Sequence, residues 1–163
     1  MTLEALFERA DVAVPAAADD IFGRFVGSWR VANRLFTPSD GEWHANSARW
    51  DFARILEGRG IQDVLTGDAG VWGTTVRTWD AAAGWRVVWF CPRASEHCVL
   101  TVNAASARTI DLVGVQADGR RIRWSFSALA DDSFAWDGWC SDDGGASWWH
   151  EQHMDAERIT AAT

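Results

Sequence analysis

Two short polar clusters hold most of the chain's capacity for chemistry. His44 and Asn46 lie two residues apart in one alternating run, and His150 and Gln152 lie two apart in another. In a β-strand, residues two apart share a face, so each histidine has an amide on its own side. An imidazole exchanges protons near neutral pH, and an amide can hold a carbonyl or enolate oxygen. His44 and His150 are therefore the candidate acid–base pair. Asn46 and Gln152, with Gln62 or Asp63 beside them, are the candidate polar contacts. The plainer alternative is that these side chains satisfy one another, or grip a ligand's polar end without reaction.

Other constellations point away from familiar chemistries. On a strand, residues three apart face opposite sides, so the two histidines of His150-x-x-His153 cannot chelate one ion. Cys91 and Cys98 flank a short loop beside His97, but no Cys-x-x-Cys spacing accompanies them. No metal and no cofactor is expected. Ser, His and Asp are all present, yet no Gly-x-Ser-x-Gly elbow supports a hydrolase. Ser141-x-Asp143-x-Gly145-x-Ser147-Trp148 resembles the Asp-box of sialidase-type propellers, but a single copy implies a well-formed turn and not a glycosidase.

These residues need a scaffold, and composition narrows it. With 163 residues the chain is long enough for one domain with its own core. A formal charge of -8 argues against nucleic acid, whose phosphates need a basic footprint. No run of 18 apolar residues suggests a membrane span. The start of the sequence lacks the pattern of a secretory signal, and three cysteines are an odd number; both fit reduced thiols and a cytoplasmic location.

Residues 1–18 read as an N-terminal arm, and residues 19–163 as a single barrel domain. Asp19 or Asp20 is placed to cap a short helix carrying Ile21, Phe22 and Phe25, whose apolar face would plug one end of that barrel. Turn signals then recur every eight to twelve residues, Asp118-Gly119 being the clearest hairpin turn. About ten strands joined in sequence order favour a closed antiparallel up-and-down barrel, which removes its own edges. Alternation turns Trp29, Val31 and Leu35 inward on the first strand, and Ile122, Trp124 and Phe126 inward near the eighth. On the last strand it turns Trp148, His150, Gln152 and Met154 inward.

Twelve tryptophans are more than a core of this size needs. Trp29, Trp124 and Trp148 read as core, whereas Trp50, Trp72, Trp85, Trp89, Trp136 and Trp139 cannot all be core if the barrel is hollow. Trp50, Trp72, Trp89, Trp124 and Trp136 are the candidate cavity walls, flat and apolar with electron-rich faces that suit aromatic, polyene or cationic molecules. The alternatives are that the indoles fill the barrel, or that outward ones form the patch of a homodimer.

Gly27-x-Trp29 at the mouth of the first strand, with Arg158 near the C-terminus, resembles the calycin superfamily of lipocalins, fatty-acid-binding proteins and their relatives. The stretch from Leu56 to Val64 is similar to small bacterial members of that group. The resemblance implies that Trp29 closes one end of a barrel with Arg158 lying across its ring, and that the barrel encloses a small, mostly apolar molecule. Some bacterial calycin-like barrels are cofactor-independent cyclases or decarboxylases, and the nitrobindins hold haem, which makes haem on an inward histidine a weaker third reading. The leading expectation is a barrel binding a small apolar or aromatic molecule. The alternative is a cofactor-free cyclase or isomerase of a polyketide- or terpenoid-like substrate, using positioning and histidine acid–base catalysis.

Overall fold

A computed structural model describes residues 20–80 and 82–160. The expected arm, residues 1–18, lies outside the described residues. Ten strands follow one another: β1 (Gly27–Thr37), β2 (Glu42–Ile55), β3 (Gly60–Gly67), β4 (Gly70–Asp80), β5 (Gly84–Cys91), β6 (Glu96–Ala105), β7 (Ile110–Gln116), β8 (Arg121–Ser127), β9 (Ser133–Ser141) and β10 (Trp149–Arg158). Each pairs antiparallel with its sequence neighbour, and β1 pairs with β10 to close the barrel. Closure leaves no unpaired sheet edge. Among the described residues no helix is long and apolar enough to cross a membrane.

The expected N-terminal helix is a single 3₁₀ turn, Gly23–Phe25. Asp20 does not cap it with its side chain. Its carboxylate instead accepts a hydrogen bond from Arg54 on β2 at 2.6 Å, while its carbonyl accepts from the Gly23 amide. That turn still plugs the barrel. Phe22 and Phe25 are fully buried, and Phe25 packs within 4.8 Å of both Phe126 and Phe134, centroid to centroid. Trp29 donates its indole N–H to the Phe25 carbonyl at 2.7 Å. Arg158 lies over the Trp29 ring at 4.1 Å and donates to the carbonyls of Arg24 and Val26, tying the last strand to the plug.

One buried ion pair stands above this aromatic floor. Arg77 on β4 meets Asp63 on β3 at 2.6 Å, and both side chains are almost fully excluded from solvent. The guanidinium lies over the rings of Phe22 and Phe52, at 5.2 and 5.3 Å. Asp63 also accepts the backbone amide of Thr75. A buried pair adds little net stability against an apolar isostere, but removing one partner strands the other charge. We therefore expect Asp63→Ala to lower the unfolding free energy in urea by about 3–5 kcal/mol, and the double replacement Asp63→Leu/Arg77→Met to lower it by much less. Equal losses in both variants would contradict this reading of the floor.

Candidate functional site

Above Arg77 the barrel is hollow. A cavity of about 460 Å³ reaches toward the end that carries the 38–41, 68–69, 92–95, 117–120 and 142–148 turns. Five indoles line it: Trp50, Trp72, Trp89, Trp124 and Trp136. Leu65, Ile122 and Met154 add aliphatic wall, and Asn33, Asn46 and Gln152 supply amides. Asn33 sits between the other two, donating to Asn46 at 3.0 Å and accepting from Gln152 at 2.7 Å. Three of the wall indoles, Trp72, Trp89 and Trp136, depend on glycine for their space, the last through Gly138. A Cβ at Gly67 would collide with the Trp72 ring, and one at Gly73 would collide with Trp89 and the Phe90 carbonyl.

At two places on the cavity wall, buried donors have no protein partner. The Trp50 indole nitrogen and the Arg77 Nε are buried without a hydrogen bond among the described residues. Elsewhere on the wall lies an acidic pair that the sequence reading missed. Glu96 on β6 accepts from the Trp89 indole at 3.1 Å and from the Gln116 amide at 3.0 Å. Glu151 on β10 accepts from the Cys140 thiol at 3.1 Å. Burial pushes the Glu151 carboxyl above its ordinary value, and the charge of Glu96 adds to the rise. Burial likewise raises the Cys98 and Cys140 thiols far above the usual thiol range, so both remain protonated and unreactive near neutral pH.

Glu151 is inward because β10 is not regular. Its register with β9 shifts between His150 and Gln152, so Gly138 faces a two-residue bulge. Glu151 and Gln152 both line the cavity, and alternation reverses on either side of them. This corrects two sequence expectations. His150 points outward, bonded to Asp137 at 2.8 Å and stacked on Trp139. His150 and His153, three apart, also share the outer face instead of opposing one another, and both contact Asp137.

The other expected residues are placed as follows. Asn46, Trp50, Trp72, Trp89, Trp124, Trp136 and Gln152 all border the cavity. Gln62 does not; it bonds Thr74, while its neighbour Asp63 turns inward to Arg77. His44 shares the Asn46 side of β2, but this end of the strand is exposed, and its ring bonds Asp40 at 2.9 Å. Among the described residues no histidine lines the cavity; His44 and His150, expected as an inward acid–base pair, both lie outside it. Trp148, expected in the core, is exposed on the Asp-box-like loop, with Arg123 5.6 Å from its ring. That loop is the well-formed turn expected: Asp143 accepts from the Ser147 hydroxyl and amide and from the Ser141 hydroxyl, which hold its carboxyl well below the usual range.

Among solved structures the chain is similar in shape to Rv2717c from M. tuberculosis. The TM-score is 0.64 at 12% identity, over 89% of this chain and 99% of that one. The shared feature is the fold. A redesigned β-barrel matches with a TM-score of 0.39 at 11% identity, over 84% and 93% of the two chains. EF1p2_mFAP2b bound to DFHBI matches with 0.40 at 14%, over 83% and 94%. No protein-family model and no curated protein matches the sequence.

The raised Glu151 carboxyl ties stability to pH with a definite sign. The unfolded chain ionises this group near the ordinary glutamate value of about 4.5, while the folded chain holds the proton longer. Its contribution is thus complete below that value and fades as pH rises toward the folded pKa. Glu151→Gln should therefore gain stability relative to the parent as pH is raised from 4 to 8, measured by urea unfolding at each pH. A constant difference across that range would contradict the burial argument.

Proposed function

We propose that the barrel binds a small aromatic or otherwise flat apolar molecule that carries a cationic group. The observation that carries this reading is a cavity walled by indoles and lined by two half-buried carboxylates, Glu96 and Glu151. Its volume lies within the ordinary range for small-molecule sites, and its few polar groups suffice to fix an orientation. Indole faces attract cations as well as flat apolar rings. An ammonium or amidinium between the carboxylates would offset both the repulsion and the desolvation that raise Glu151. At the Trp50 and Arg77 side, an acceptor atom on the ligand would meet the free donors. The cytoplasmic location and the calycin kinship belong to this same proposal. Kinship rests on Trp29 stacked beneath Arg158 at the closed end.

A second reading is favoured by one observation, the elevated Glu151 carboxyl in an indole-walled cavity. A cofactor-free isomerase or cyclase needs a group that holds and returns a proton, and the outward histidines leave that role to Glu151. If the cavity turns over a polyketide- or terpenoid-like substrate, Glu151→Gln should cut kcat by roughly 10²- to 10⁴-fold with a small change in KM.

Calorimetric titration with 2-naphthylmethylammonium, 2-naphthalenemethanol and 2-naphthoate tests the binding proposal on one skeleton. The cation should bind more tightly than the alcohol by roughly tenfold or more. That preference should disappear in the Glu96→Gln/Glu151→Gln double variant. Failure of all three to bind, or tightest binding by the carboxylate, would overturn the proposal.

A further inference from the structure

We propose that Asp137, His150 and His153 form a binding site for one divalent metal ion of the zinc type on the outer wall of the barrel. The bulge in β10 creates the arrangement. It brings two histidines of His150-x-x-His153 to one face and sets both against Asp137 on β9. His150 Nε2 lies 2.8 Å from Asp137 Oδ1, and His153 Nδ1 lies 2.7 Å from the same oxygen. One donor atom from each of the three residues falls within 4.8 Å of the others. Zinc holds nitrogen and oxygen ligands at about 2.0–2.2 Å, so neighbouring ligands in a tetrahedral site stand about 3.4 Å apart. Reaching that spacing requires each histidine–aspartate contact to open by about 0.6–0.7 Å from its present 2.7–2.8 Å.

Both ring nitrogens of His153 face carboxylates. Its Nδ1 faces Asp137, and its Nε2 faces Asp155 Oδ2 at 3.2 Å. An ionised carboxylate only accepts, and a neutral imidazole carries one N–H. If Nε2–H donates to Asp155, the Nδ1 lone pair is aimed directly at a lone pair of Asp137. The opposite tautomer, with Nδ1–H donating to Asp137, leaves the Nε2 lone pair facing Asp155 at 3.2 Å, and a metal ion at Nδ1 removes the mismatch at both nitrogens. The ion satisfies more of the site, because it takes up the His150 Nε2 lone pair as well. Asp155 then occupies the place that a carboxylate commonly takes behind a metal-bound histidine, fixing the tautomer and the ring.

The rings are also held in place before any ion arrives. His150 stacks on Trp139 at 5.2 Å and 21°, and the edge of Trp43 packs on it at 5.0 Å. Arg123 covers the other partner of that stack, Trp139, at 4.6 Å, and Arg34 faces His153 across β1. Against these two cations stand the Asp137 and Asp155 carboxylates and an overall charge of -8. The three side chains are partly exposed, which leaves an entry path and room for a water ligand. Two imidazoles and one carboxylate suit zinc and cobalt(II) better than calcium or magnesium, which prefer all-oxygen sites. The site lies on the opposite side of the wall from Glu151 and does not depend on what the cavity binds.

Chelator-treated full-length protein titrated with cobalt(II), then with zinc in competition with a chromophoric chelator, tests the site. One equivalent of cobalt should give visible d–d bands, and zinc should displace it. His150→Ala and His153→Ala should each weaken zinc binding by about 100-fold or more, and Asp155→Asn by roughly 10- to 100-fold. Cys91→Ser and His97→Ala should leave binding intact, which separates this site from the thiol loop. Ring ¹⁵N shifts of His150 and His153 on adding zinc give a readout in the parent protein, independent of whether the variants fold. Zinc binding that survives both histidine replacements, that is lost with Cys91 or His97, or that leaves those two ring spectra unmoved would overturn the proposal. So would the absence of binding.

Discussion

A single inserted residue in β10 sets what faces into the barrel and what faces out. Strand alternation is strict, so one extra residue reverses every side chain beyond it. Here the inserted pair, Glu151 and Gln152, both turn to the cavity opposite Gly138. A carboxylate enters an apolar site that regular alternation would have kept outside, and a histidine leaves it. The acidic pair inside and the histidine pair outside are two sides of the same local distortion. Bulges of this kind are common where a strand must re-aim a functional side chain.

The barrel beneath divides into a solid half and a hollow half. Phenylalanine rings from the 3₁₀ plug interlock with Phe52, Phe126 and Phe134, and Trp29 is held between that plug and Arg158. The Arg77–Asp63 pair stands at the boundary, its guanidinium facing phenylalanine rings on the floor while Arg77 also borders the cavity. Above it, indoles that touch one another edge to face, Trp124 and Trp50 against Trp136, line a space instead of filling it. Positions such as Gly67 and Gly73 matter because the backbone must make room for whole indole rings.

Much of the fold was legible in the sequence, because turn residues and period-two alternation are local signals. Asp118-Gly119 marks the β7–β8 hairpin, and Ile122, Trp124 and Phe126 keep their expected face. The Trp29 and Arg158 contact was legible only through family resemblance, since the residues are far apart in the chain. Seven of the eight expected ligand contacts border the cavity, and Gln152 keeps its expected side because the β10 bulge reverses alternation only on the N-terminal side of it. The error at His150 has a physical source: nothing in Trp-Trp-His-Glu-Gln-His announces a bulge, which is fixed by pairing with β9. Glu96 and Glu151 were overlooked because charged residues are generally assigned to the surface: their partial burial is offset by partners on neighbouring strands, Trp89, Gln116 and Cys140. The expected helix is a single 3₁₀ turn whose N-cap position is Phe22, a residue with no side-chain acceptor, while Asp20 bonds Arg54 instead.

A crystal structure with a flat aromatic ammonium compound in the cavity tests the central claim most directly. The account expects the ring against the indole wall and the nitrogen within hydrogen-bonding distance of Glu96 or Glu151, with the β10 bulge intact. A ligand seated with its ammonium away from both carboxylates, or a regular β10 with His150 turned inward, would contradict it.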